Sequence, residues 1–102
     1  MQQQAAENLA QAQYSEAIAL YEQCIEANPT LMSNYWHLGL AWLLQGQELE
    51  AQSVWLLAIM QATPENSDAC IAQLVEVLEA EALRHLQDDN LQQAESIYWQ
   101  IL

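Results

Sequence analysis

Glu81, His85 and Asp88 stand at i, i+4 and i+7, a spacing that would set one imidazole and two carboxylates along a single helix face. That donor set could hold a divalent cation weakly. The same spacing describes a plain exposed polar face on which Glu81 hydrogen-bonds His85, and this is the reading the sequence favours; no metal is expected. His37 lies between Trp36 and Leu38 with no acidic or thiol residue one turn away, the setting of a partly buried structural histidine. Cys24 and Cys70 make neither a C-x-x-C pair nor a disulfide framework. As small unpaired hydrophobes they suit a reducing compartment. Gly-rich phosphate loops, G-x-S-x-G and H-E-x-x-H are absent. No catalytic residue and no cofactor are expected.

The elements that would carry these residues follow from composition. Hydrophobic residues make up 53% of the 102 residues, and Gly39, Gly46, Pro29 and Pro64 are the only glycines and prolines. So few turn formers cannot build the many turns of an all-β fold, whereas the abundant Ala, Leu, Gln and Glu favour helix; the fold class is all-α. Fourteen acidic residues against a single Arg84 give a net charge of −13. That field repels phosphate backbones and anionic membranes and favours a basic or neutral partner, although acidic faces are most often simply solvated. The N-terminus has no basic or apolar leader pattern, and the longest apolar run, 38–44, is far short of a membrane span. A cytoplasmic, soluble chain is expected.

A repeat organises the helices. Tyr14, Ala17, Tyr21, Cys24 and Ile25 form an amphipathic stripe. The template returns as Ala51, Trp55, Ala58 and Ile59, and again as Leu91, Ala94, Tyr98, Ile101 and Leu102. Ala17 and Ala51 are 34 residues apart and Ala51 and Ala94 are 43 apart, so the third unit carries nine extra residues. These most simply lengthen its first helix by about two and a half turns. Pro29 and Pro64 punctuate the unit ends; Gly46 and the run Asp88-Asp89-Asn90 mark turns within units. Helices are expected over 2–11, 14–27, 32–45, 48–62, 66–87 and 91–102. Gly39 and Ala51 read as points of close helix approach, and Tyr21, Trp55 and Tyr98 as knobs inserted between helices.

The segment Tyr35-Trp36-His37-Leu38-Gly39-Leu40-Ala41-Trp42, followed by Ala51, Trp55, Ala58 and Pro64, resembles the tetratricopeptide repeat family. Its pattern runs W-x-x-L-G-x-x-Y, then A-x-x-x-F-x-x-A, then P. Ala17, Tyr21, Cys24 and Pro29 match in the first unit and Ala94, Tyr98 and Ile101 in the third, so the resemblance covers essentially the whole chain. Departures are Gln4, Ala5 and Asn8 in the first helix, and Glu81 and His85 in the Leu and Tyr slots of the third unit. The resemblance implies one domain, a right-handed α-α superhelix of three helix-turn-helix hairpins at 1–31, 32–64 and 65–102. It also implies that the chain stops six residues before its last unit would close, as part of a longer protein or with its open face, including Ile97, Ile101 and Leu102, covered by a second copy.

Function is implied in the same way. In this family the first helix of each hairpin lines a concave groove, which places Trp36, Leu40, Leu43 and Leu44 from unit two, with Glu79, Leu83, Leu86 and Gln87 from unit three, on an apolar floor with an acidic rim. Such a groove suits a basic or amphipathic protein segment. The family's carboxylate clamp of lysines and asparagines is excluded, because Trp36 and Leu40 occupy those positions and the chain has no Lys. The expected function is a protein–protein interaction scaffold. The alternatives are the N-terminal repeat region of a larger enzyme, such as a glycosyltransferase or methyltransferase, and self-association through the last helix.

Overall fold

Six helices account for nearly all of the computed structural model, which describes residues 2–63 and 65–101. They are α1 (Gln2–Ala10), α2 (Tyr14–Ala27), α3 (Met32–Leu44), α4 (Glu48–Gln61), α5 (Ser67–Gln87) and α6 (Leu91–Ile101). Each lies within one residue of its expected ends. Pro64, the expected stop after unit two, and Leu102, the expected last helical residue, lie outside the described residues. The chain is all-helical, with no strand among the described residues.

The helices pair as α1/α2, α3/α4 and α5/α6, and one turn geometry makes all three pairs. Ala12 (φ 61°), Gly46 (φ 95°) and Asp89 (φ 61°) each sit left-handed just past a helix end. In each turn the residue after them returns an N–H to the third carbonyl from the helix end: Gln13 to Asn8 (2.8 Å), Gln47 to Trp42 (2.9 Å) and Asn90 to His85 (2.8 Å). The left-handed residue itself bonds one carbonyl later, at Leu9, Leu43 and Leu86. This is the Schellman arrangement, which satisfies carbonyls that a helix end otherwise orphans. Only Gly46 adopts it without a side-chain penalty.

Small residues set the approach of each pair. Each pair carries a buried small residue on both of its helices: Ala5 and Ala17 in α1/α2, Gly39 and Ala51 in α3/α4, and Ala82 and Ala94 in α5/α6. Around them pack Trp36, Leu40, Leu78 and Ile97, which are fully buried; each such side chain contributes roughly 1.5–3 kcal/mol on leaving water. The indole of Trp55 lies on Gly39 and its Nε1–H donates to the Trp36 carbonyl at 3.1 Å. Tyr21 is buried and stacks on His37, with ring centroids 5.6 Å apart. His37 Nδ1 lies 2.8 Å from the Ser33 carbonyl, which can only accept, so Nδ1 carries the ring proton.

Two expected roles are corrected. Tyr98 is not an inserted knob but is exposed, at the edge of the α6 face that buries Ala94 and Ile97; Ile97, expected on an open face, is fully buried in the core. The long α5, with 21 residues against 13 in α3, packs along α3. Its first buried residue is Leu74; in its opening turn Cys70 is half-buried against the core.

Candidate functional site

At the C-terminal end of α5 the polar residues form one cluster, organised by Arg84. Its Nε and Nη2 both donate to Glu81 Oε2, at 3.2 and 2.8 Å, and Nη1 approaches Asp88 at 3.8 Å. Both carboxylates of the metal-like triad therefore face a guanidinium. His85 is buried rather than part of an exposed face, and its Nε2 lies 4.0 Å from Glu81, too far for the expected hydrogen bond. Instead Nε2 accepts from Arg84 Nη2 at 3.3 Å, because a guanidinium only donates. The ring proton is then on Nδ1, and the Asn90 amide, 3.4 Å away, meets it best with its oxygen toward the ring. Burial, and after it the charge of Arg84, hold the His85 pKa below its ordinary value. Arg84 is the residue that spacing alone did not single out. Among the described residues no group of three His, Cys, Asp or Glu side chains is arranged to hold a metal ion.

The eight residues expected to line one groove are divided by the packing of α5 on α3. Trp36 and Leu40 are fully buried and Leu43 nearly so, with the Trp36 indole reaching Gln73 of α5 at 3.4 Å. Trp36 shows only at the edge of a hollow shared with Gln73, Glu76 and Val77. Leu43 and the half-buried Leu44 border a second hollow with Gln92, Gln93 and Ser96. Glu79 and Leu83 line a third, between α5 and α6, with Glu76, Ala80, Tyr98 and Ile101. Leu86 and Gln87 are exposed and border none of these. Of the α3 members Trp36, Leu40 and Leu43 are thus core and Leu44 is half-buried at its edge, and the α5 members are surface.

A larger groove lies elsewhere. It encloses about 680 Å³ between α2 and α4, with α3 as its floor. Tyr35 and Leu38 form the floor, Ala19, Ile25 and Glu26 belong to the α2 wall, and Val54, Leu57 and Gln61 form the α4 wall. Tyr35 is held in place by its hydroxyl, which donates to the Pro29 carbonyl at 3.1 Å. Glu22 and Glu26, one helical turn apart, edge the α2 side.

Beyond the groove wall, the outward side of α4 is apolar where a surface helix is normally charged. Leu49 (76% exposed), Leu56 (58%), Leu57 (58%) and Met60 (70%) all face solvent. Leu49, Leu56 and Met60, at i, i+7 and i+11 with Ser53 between, and Leu57 beside them at i+8 make one crest on the side away from Ala51, Trp55 and Ala58. No charged residue occurs from Ala51 to Thr63. That charge-free run was the available sequence signal, masked because the repeat template directs attention to the buried face. Among the described residues no helix is long and apolar enough to cross a membrane.

No protein-family model, no curated protein and no solved structure matches this chain.

Proposed function

We propose that the chain is a protein–protein interaction scaffold built of three tetratricopeptide-like hairpins stacked in a right-handed superhelix. The identical turns at Ala12, Gly46 and Asp89 and the packing of α5 on both α3 and α4 support that architecture. The observation that carries the function is the α4 crest. Four large apolar side chains on one exposed helix face exceed the scattered apolar exposure of an ordinary surface, on a chain otherwise charged to −13. The partner's contact surface is apolar with a basic edge.

The test is a pull-down with intact chain as bait, comparing wild type with a Leu56→Gln/Met60→Gln variant that keeps its circular dichroism and melting behaviour. Loss of the wild-type partner is expected; equal recovery by the variant overturns the crest as the binding face. Trp36→Ala and Leu40→Ala are unsuitable probes, because both residues are core and their loss is a stability defect.

The hollow between α5 and α6, with Leu83 50% and Tyr98 37% exposed, supports a second reading in which another copy covers that end. Sedimentation of a strict monomer at high concentration would exclude it.

A further inference from the structure

The groove between α2 and α4 joins three features that select one kind of occupant. Its floor and walls are apolar at Ile25, Leu38, Val54 and Leu57, continuous through Leu57 with the exposed crest of α4. Its rim carries Glu22 and Glu26, about 6 Å apart along the helix axis. Among the described residues neither forms an ion pair, and the only Lys or Arg residue of the sequence, Arg84, is engaged with Glu81 and Asp88.

The helix ends add to the same sign of potential. In the groove, residues 19–26 of α2 lie opposite 54–61 of α4. The two helices run the same way, since each is antiparallel to α3. Both therefore bring their C-terminal ends to one end of the groove, and neither has a basic residue in its last turn. A helix C-terminus carries roughly half a negative charge, and Glu26 stands in the last turn of α2, where an anion is unfavourable. A cation arriving from outside relieves this combination.

We propose that this groove takes a basic amphipathic helix from a partner protein. Its apolar face lies on Leu38, Val54 and Leu57, and two Lys or Arg residues one turn apart pair with Glu22 and Glu26. A second copy of this chain is disfavoured as occupant, because it has one arginine and a net charge of −13. The proposal rests on the reading of the chain as an interaction scaffold and names the partner chemistry.

The test is calorimetric titration of the intact chain with synthetic amphipathic helices. One has leucines on one face and lysines four residues apart at its edge; a second replaces those lysines by glutamates. Expected is binding of the first only, weakening with added salt, about five- to tenfold weaker to Glu22→Gln/Glu26→Gln. Leu57→Gln weakens it as well, while Leu91→Gln on α6 does not. Both glutamates are exposed, so their replacement leaves the fold intact. Equal binding of the two peptides, indifference to the Glu22/Glu26 change, or no binding of the lysine peptide overturns the proposal. So does a dimer that Leu57→Gln dissociates. If the peptide fails while the crest variant still loses its captured partner, this inference falls and the scaffold reading stands.

Discussion

The indole of Trp55 occupies the space that a side chain on Gly39 would need: a Cβ at Gly39 would come within 2.6 Å of the indole Cδ1 and overlap other ring atoms. The obstacle is a ring wedged between helices, not the free end of a flexible chain. Gly39→Ala therefore destabilises the fold by about 1–3 kcal/mol, despite the gain of about 1 kcal/mol in helix propensity. Urea melts give the value. In a Trp55→Leu background the same change becomes neutral or stabilising, and an equal penalty in both backgrounds would contradict the contact.

The three hairpin turns respond oppositely to glycine. Ala12 and Asp89 hold φ near 61°, which costs an L-residue roughly 1–2 kcal/mol, partly offset by glycine's greater unfolded-state entropy. Ala12→Gly and Asp89→Gly should each raise stability by about 0.5–1 kcal/mol. Gly46→Ala should lower it by about 1 kcal/mol through the backbone alone, since nothing surrounds that position within 4 Å. A loss of stability in Ala12→Gly would show that the turn is not held as described.

His85 makes stability depend on pH. Its folded pKa lies below the ordinary 6.5, mainly through burial, so below that pH the unfolded chain takes up a proton the folded chain resists. The stability His85 contributes is present above pH 6.5 and lost as pH falls through the folded pKa. Repulsion among the carboxylates changes over the same range, so the quantity to measure is wild type against His85→Gln. Their difference in urea midpoint should shrink between pH 7.5 and 5; a constant difference would contradict the assignment.

Tyr21 acts at the other end of the scale. Burial pushes its phenol up to about 12, so its contribution is complete below pH 10 and lost as pH rises from 10 towards 12. An ultraviolet titration should lose its late step in Tyr21→Phe. Loss of a step near 10 instead would place Tyr21 in solvent.

The parts that sequence made legible were those governed by local rules. Apolar spacing and the breaks at Gly46 and Asp88-Asp89-Asn90 set the helix ends, and the repeated small residues Gly39 and Ala51 marked a close approach that Trp55 fills. What sequence hid depends on how helices lie against one another. Trp36 and Leu40 look like groove residues until α5 is laid on α3, and Arg84 looks like a bystander until its guanidinium is seen on Glu81. The α4 crest was present in the sequence as a charge-free run, but an apolar residue announces only that it seeks burial. Leu56 and Trp55 differ in outcome because Trp55 faces α3 and Leu56 faces away.

The central claim is that the α4 crest is a partner-binding surface. It is tested most directly by placing a photo-cross-linking residue at Leu56 of the intact chain in its own cells, with a matched probe at exposed Glu95 on α6. A discrete adduct from position 56, absent from position 95 and lost with Met60→Gln, is the expected result. A folded chain that yields no adduct from position 56, or the same adducts from both positions, would contradict it.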